Sequence, residues 1–278
     1  MVRRRRAGTA RRPRPEPKVL PAMRVEAVYR YPVKGLSPEA LEEVVLTPGE
    51  CIPQDRRFAL AQGDAPFDPA APSWLPKRHF GCLMANARLA LLRTGFEPRS
   101  GRLSIRAPDG SSLVADTRTE DGRAAIGAFL AGFLGPEARG TPRFVEAPGH
   151  HFTDVAKKCV SIIGLSSLHA LEAAVDTPLD PIRFRANIYV SGGEPWAEFG
   201  LLGQEIQIGG ARLRVFKRII RCAATEVNPE TAERDAKPQH WLRERFGHSD
   251  LGVYAEVLEG GQVSVGDALE PLEADLLH

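Results

Sequence analysis

The chain has 278 residues, 43% of them hydrophobic, which is enough apolar material for one large domain or two small ones. Lys and Arg number 37 against 35 Asp and Glu, so a formal net charge of +2 provides no overall field that would indicate nucleic-acid binding. The apolar runs are much shorter than the roughly 20 residues that span a bilayer, so we expect no membrane segment and a cytoplasmic location.

The first 21 residues are rich in arginine and proline, with basic clusters at 3–6 and 11–14. Such a composition cannot bury an apolar face, and it predicts a disordered basic, proline-rich tail over residues 1–21. A solvated tail is favoured over a nucleic-acid-binding arm, because charge runs are common in tails. No apolar segment follows the arginines, as it would in a secretory signal.

Apolar and polar residues begin to alternate after Met23, which predicts a first strand ending near Pro32. Short strand patterns then recur between turn signals, at 43–46, 58–61, 103–105 and 112–115. Residues 123–134 predict one helix, closed by Gly135. We therefore predict a small antiparallel barrel or sandwich over residues 22–136.

Residues 136–151 contain several Pro and Gly and predict a linker. Helices are predicted at 166–175, with Ser166 as N-cap, and at 239–246. Strand patterns lie at 188–190, 205–208, 212–216, 253–258 and 262–265, with hairpin signals at Gly209-Gly210 and Gly260-Gly261. The predicted fold class is mainly β with short helices (α+β), with a second strand-rich barrel over residues 137–278.

The four cysteines, Cys51, Cys82, Cys159 and Cys222, have no spacing typical of a zinc or iron–sulfur site. Cys222 directly follows Arg221, in a basic stretch of the chain. Cationic neighbours stabilise a thiolate, which is the form that a nucleophile or a soft metal ligand needs. From local charge alone, a buried core cysteine is the more frequent alternative.

Other basic residues are candidates for binding an anion. Lys34 follows the first strand beside Gly35, where the backbone can approach a ligand. Arg56 and Arg57 carry planar guanidinium groups suited to phosphate, and the alternative is a structural Asp55–Arg56 ion pair.

A third group of polar residues enters a predicted strand near Phe184. Alternation places Arg183, Arg185 and Asn187 on one strand face, which either binds an anionic partner or faces solvent. Lys157 and Lys158 form a weaker basic spot. Motifs for serine hydrolases, zinc proteases, dinucleotide binding and phosphate loops are absent from the sequence.

Two ordered sets of motifs resemble a known family. Tyr31-Pro32-Val33-Lys34-Gly35-Leu36 and Asp55-Arg56-Arg57-Phe58 resemble the N-terminal barrel of MOSC (molybdenum cofactor sulfurase C-terminal) proteins. Phe184-Arg185-Ala186-Asn187-Ile188, Arg221-Cys222 and the segment 225–231 resemble the MOSC domain itself. The set is similar to that of the amidoxime-reducing component type of oxidoreductase and covers about residues 22–272.

The resemblance implies a molybdenum–molybdopterin cofactor, with Mo or W, held by one cysteine thiolate. The matching position is Cys222, as metal ligand and catalytic residue. The matching positions for residues that bind the cofactor are Lys34, Arg56, Lys157, Arg185, Asn187, Arg221 and Tyr254. The resemblance is also compatible with pyridoxal phosphate binding.

The implied reaction is the two-electron reduction of small N-oxygenated, above all N-hydroxylated, substrates. The cofactor carries such chemistry, and the protein binds and orients it. Electrons are expected from a separate protein of cytochrome b5, flavin or ferredoxin type.

Four positions depart from the family pattern: Gly35 replaces a frequent serine, Lys157 and Lys158 replace hydroxyl residues, and Ile220 replaces a polar residue. Two alternatives therefore stay open. One is a cofactor carrier or sulfur-transfer protein with a persulfide on Cys222, and the other is a scaffold barrel without the cofactor.

Overall fold

The computed structural model describes residues 22–272, so the predicted tail over residues 1–21 lies outside the described residues. Strands predominate, which confirms the predicted fold class. The strands are β1 (Met23–Arg30), β2 (Glu39–Leu41), β3 (Glu43–Leu46), β4 (Phe58–Ala61), β5 (Arg93–Glu97), β6 (Arg102–Arg106), β7 (Ser112–Asp116), β8 (Arg143–Glu146), β9 (Val160–Gly164), β10 (Ile188–Ser191), β11 (Glu205–Ile208), β12 (Ala211–Ile220), β13 (Asp250–Glu259), β14 (Gly261–Ser264) and β15 (Ala268–Pro271).

Helices are few and mostly short. The α-helices are α1 (Glu120–Leu134), α2 (Leu165–Val175) and α3 (Pro238–Phe246). Single 3-10 turns lie at Lys77–His79, Ala87–Leu91, Gly135–Glu137, Pro181–Phe184, Ala197–Leu201 and Ala223–Glu226. No helix between residues 22 and 272 is long and apolar enough to cross a membrane.

Seven strands close into a barrel in the order β10-β9-β13-β12-β11-β15-β1, with β1 pairing back to β10. Alternation fills its interior with aliphatic side chains, such as Leu213 and Val215 from β12. In β1 a register shift between Val25 and Ala27 lets both Val25 and Val28 join the same core. Burial of these side chains removes apolar area from water at about 25 cal/mol per Å² and is the main force that closes the barrel.

The end of β12 is irregular. Its register against β13 shifts between Val215 and Lys217 and again between Arg218 and Ile220. Such bulges bend and twist a strand and re-aim its side chains. Because β12 ends at Ile220, these bulges set the direction in which the chain continues into Arg221 and Cys222.

A second core lies between α1, the β5-β6-β7 sheet and the β4–β8 pair. Phe58 stacks on Phe144 with ring centroids 5.3 Å apart. Thr119 caps α1 by accepting a hydrogen bond from the Gly122 backbone N–H. This part of the chain forms one wall of the site described below.

The two halves of the sequence are interleaved. β1 completes the barrel by pairing with β10 and β15, and β3 pairs with β14. The barrel therefore takes one strand from the first half of the chain. The predicted division into residues 22–136 and 137–278 stays a prediction.

Several local predictions were wrong. The predicted linker contains β8, which pairs with β4. Gly164, rather than Ser166, lies at the N-cap of α2, and the Ser166 hydroxyl donates instead to the carbonyls of Gly192 and Gly193. Gly260-Gly261 does not close a hairpin, because β14 pairs with β3 rather than with β13.

The segment before β10 is also not a strand. Residues Pro181–Phe184 form a 3-10 turn, capped by the Asp180 side chain, and Arg185 follows in the left-handed region. The predicted alternation of Arg183, Arg185 and Asn187 is therefore wrong, because the strand begins only at Ile188.

Candidate functional site

A basic cavity of about 280 Å³ opens between one end of the barrel and the second core. Among the described residues, its carboxylates are Asp55 and Asp154, and its eight cations are Lys34, Arg56, Lys77, Arg183, Arg185, Lys217, Arg218 and Arg221. A concave site with such an excess of positive charge attracts anions. Ile220 lies at its edge with 67% of its surface exposed.

Cys222 faces this cavity and is the only one of the four cysteines that is not buried. It caps the 3-10 turn Ala223–Glu226, where the backbone N–H and the hydroxyl of Thr225 donate to its carbonyl at 3.0 and 2.9 Å. These bonds fix its backbone. Lys77 Nζ lies 3.0 Å from the sulfur. The thiol is therefore held in a cationic, partly solvated place.

Arg221 also lines the cavity, and its guanidinium is held by backbone carbonyls. Its guanidinium donates to the carbonyls of Leu251 and Phe184, at 2.8 and 2.9 Å. Burial lowers the pKa of Arg221 below its ordinary value. Arg221 thus ties the cysteine-bearing segment to β13 and to the turn before β10.

Arg56 and Arg185 lie on the ring of Tyr31, with their guanidinium carbons 4.7 and 4.2 Å from its centroid. Both residues adopt left-handed backbone conformations, with φ of 48° and 52°. Such conformations are strained outside glycine, and they concentrate at functional sites. Arg56 forms an ion pair with the buried Asp55, the alternative raised above from the sequence.

Arg185 is incompletely satisfied. Its Nη1 donates to the Leu36 carbonyl at 2.8 Å, but its Nη2 is buried and has no hydrogen-bond partner among the described residues. Burial lowers the pKa of Arg185 to about 10. A buried donor without an acceptor is costly, and an anion in the cavity would supply one.

Lys34 is already held by protein groups. Its ammonium donates to the Phe152 carbonyl at 2.9 Å and to Asp154 at 2.6 Å. Although burial opposes the shift, the Lys34 and Lys77 ammonium groups lower the pKa of Asp154 below its ordinary value. Asp154 therefore joins two of the cations of the cavity.

Asn187 and Tyr254 complete the inner wall. The Asn187 Oδ1 accepts from the Ser161 hydroxyl at 2.8 Å, and its Nδ2 donates to the Tyr29 carbonyl at 3.2 Å. The Tyr254 ring stacks on Phe216 at 6.2 Å, and burial raises its pKa to about 12.

The structure brings seven of the eight predicted site residues to the cavity, and it places Lys157 elsewhere. The Lys157 ammonium lies 2.5 Å from the Glu256 carboxylate and 4.9 Å from the centroid of the Phe216 ring. Its side chain is 47% exposed. The Lys157 ammonium is therefore paired with Glu256 and Phe216 and does not line the cavity.

Lys77 and Asp154 were missed from the sequence. Neither lies in a motif, and Lys77 is 145 residues from the sulfur that it contacts. Only the packing of the two halves of the chain brings them together. Lys217 and Arg218 could be found, because they precede Cys222 in a basic stretch.

Gly252 allows β13 to approach β9 beside this site. It has φ of +81°, and an added Cβ would lie 2.5 Å from the Ile162 carbonyl oxygen and 3.3 Å from Arg221 Nη2. We expect Gly252→Ala to lower the free energy of unfolding by roughly 2–4 kcal/mol, from strain and overpacking together. Urea denaturation checks this.

Gly247→Ala is the matched control, because Gly247 has φ of +75° and open space around it. Only the backbone strain, about 1 kcal/mol, is expected there. Equal losses in the two variants would contradict the close approach at Gly252.

Within residues 22–272, no group of three or more His, Cys, Asp or Glu side chains could hold a metal ion. Cys82, Cys159 and Cys222 line the cavity, and Cys222 alone of these three described residues is not buried. It is therefore the thiol that the site offers to a metal, among polar groups that are mainly cations.

Two family models match the chain. The model of the MOSC N-terminal beta barrel domain matches residues 22–135, and that of the MOSC domain matches residues 147–270. No curated protein matches the sequence.

Solved structures share a general likeness. The YuaD protein from Bacillus subtilis is 16% identical, with 90% of this chain and 95% of that chain covered and a TM-score of 0.42. YiiM from Geobacillus stearothermophilus is 19% identical, with 42% and 56% covered and a TM-score of 0.33. A hypothetical protein is 20% identical, with 41% and 52% covered and a TM-score of 0.31.

Proposed function

The chain belongs to the MOSC family, and from this premise we propose that it binds a molybdenum or tungsten pterin cofactor through the thiolate of Cys222. The MOSC family is associated with molybdenum cofactor binding. The observation that carries the proposal is the half-buried Cys222 thiol, which faces a cavity lined by eight cations. A thiolate is a ligand of the soft kind that suits such a metal.

A second observation, a buried donor without an acceptor, also supports an anionic cofactor in this cavity. Arg185 Nη2 is a buried donor that lines the cavity and lacks a partner among the described residues. A phosphate oxygen is the acceptor that guanidinium groups favour. Arg56 lies beside it, since its own Nη2 donates to the Arg185 carbonyl at 2.8 Å.

The proposed reaction is the two-electron reduction of small N-oxygenated, above all N-hydroxylated, compounds. When bound, the cofactor would supply the electrons and accept the oxygen atom. The chain's own part is to hold the metal by Cys222, to hold the anionic end by Arg56 and Arg185, and to leave an open edge at Ile220. The likeness of the motifs to those of amidoxime-reducing oxidoreductases supports this reaction class.

Electrons would come from a separate donor protein of cytochrome b5, flavin or ferredoxin type. This donor, pyridoxal phosphate binding and the cytoplasmic location stay predictions.

The test is metal and pterin analysis of the full chain, followed by an assay for reduction of an N-hydroxylated amidine with a chemical reductant. We expect close to one Mo or W and one pterin per chain, with turnover. Absence of metal and pterin after reconstitution would overturn cofactor binding. One cofactor per chain without reduction would overturn the reductase and favour the carrier.

A further inference from the structure

We propose that Lys77 is a positioning residue that holds the Cys222 sulfur in place for the metal, with Asp154 fixing the Lys77 ammonium. This inference rests on the proposed function, since it concerns the sulfur that would bind the cofactor. The Lys77 Nζ lies 3.0 Å from Cys222 Sγ and 3.5 Å from an oxygen of Asp154.

The backbone around Lys77 is anchored. Phe80, three residues later, forms an antiparallel bridge with Ala61 of β4, and the Gly81 N–H donates to the Leu60 carbonyl at 2.7 Å. Phe80 is 3% exposed. The turn that carries Lys77 is therefore fixed to a strand of the second core rather than placed on a free loop.

The side chain of Lys77 is aimed by its partners. Asp154 lies between two ammonium groups, 2.6 Å from that of Lys34 and 3.5 Å from that of Lys77. Lys34 is 7% exposed and also donates to the Phe152 carbonyl, so this end of the network is rigid. An ammonium has three donors, and Asp154 and the Cys222 sulfur accept two of them from Lys77.

The contact joins the two halves of the chain. Cys222 follows β12 of the barrel, whereas Lys77 follows β4 of the second core. The ammonium donates to the sulfur at 3.0 Å and favours one position of the cysteine side chain. The orientation of the metal ligand thus depends on a residue outside the MOSC domain match, which begins at residue 147.

Alkylation of Cys222 in the cofactor-free full chain tests the contact directly. The probe is iodoacetamide, with the modified peptide quantified by mass spectrometry, and the other three cysteines are buried. We expect Lys77→Met to slow alkylation by roughly tenfold, because the Cys222 side chain loses the 3.0 Å contact that holds its sulfur in one position at the cavity. Lys77→Arg should stay within about threefold of the natural chain, since it keeps a cationic donor.

Lys237→Met is the matched control, since Lys237 is an exposed lysine at the start of α3. In this variant Cys222 should be alkylated at the same rate as in the natural chain. Asp154→Asn is the second variant, should Lys77→Met fail to fold. It is expected to slow alkylation by about threefold, because the ammonium loses its charged partner.

The loaded protein supplies an independent readout. Lys77→Met should lose molybdenum on gel filtration and lower kcat more than KM, and Lys77→Arg should restore both. Natural-rate alkylation in Lys77→Met and Asp154→Asn would overturn the role of Lys77. A natural chain that holds no molybdenum would instead overturn the proposed function, while the alkylation rates would still decide the contact.

Discussion

Replacement of Cys222 by alanine is expected to lower molybdenum-dependent reduction by at least about a hundredfold. Groups that only support a metal ligand are already worth roughly 10- to 100-fold, and Cys222 would be the ligand itself. The measurement is kcat/KM for an N-hydroxylated amidine with a chemical reductant. The fold should persist, because the Cys222 side chain is only half-buried and its carbonyl, rather than its sulfur, accepts the bonds from Thr225.

Cys51→Ala is the matched control, because Cys51 is buried in the core and does not line the cavity. It should reduce the substrate at the natural rate and melt at a slightly lower temperature. Activity in Cys222→Ala equal to that in Cys51→Ala would contradict the assignment of the metal ligand.

Replacement of Arg185 by methionine is expected to weaken cofactor binding by roughly 10- to 100-fold. A hydrogen bond to a charged group contributes about 1.5–3 kcal/mol, and 1.4 kcal/mol corresponds to a tenfold change in affinity. The buried Nη2 of Arg185 is the donor that this substitution removes. The measurement is the dissociation constant of the cofactor, followed by pterin fluorescence during reconstitution.

The cofactor-free Arg185→Met chain should melt within a few degrees of the natural one. The lost bond to the Leu36 carbonyl destabilises the fold, and removal of a buried charge offsets it. Arg212→Met is the matched control, because Arg212 also has a buried atom without a partner, Nε, but lies outside the cavity. A similar loss of affinity in both variants would contradict a specific role for Arg185.

Much of the barrel follows from local pattern. The alternation along 205–208 and 212–216 predicted β11 and half of β12, and Gly209-Gly210 predicted their hairpin. The fully buried β9 was missed, because Val160–Gly164 is buried at every position and shows no alternation of apolar and polar residues. Closure of the barrel by β1 could not be predicted either, because β1 pairs with β10, more than 150 residues away along the chain.

The site was predictable where its residues lie in motifs. Cys222, Lys34, Arg56 and Arg185 were found in this way, and all four line the cavity. The reason for the orientation of Arg185 was not found, because it is a left-handed backbone after a 3-10 turn rather than a strand face.

Lys77 and Asp154 were not predictable from the sequence. Their roles depend on tertiary distances of 3.0 and 2.6 Å between residues far apart in the chain. The position of the Asp154 carboxylate between the Lys34 and Lys77 ammonium groups cannot be read from composition or from spacing along the chain.

X-ray absorption at the molybdenum edge tests the central claim most directly, in the natural chain and in Cys222→Ala loaded with the same cofactor. A protein thiolate at position 222 predicts one sulfur neighbour fewer around the metal in the variant. The same number of sulfur neighbours in both would show that the metal takes no ligand from this residue, and would contradict the account.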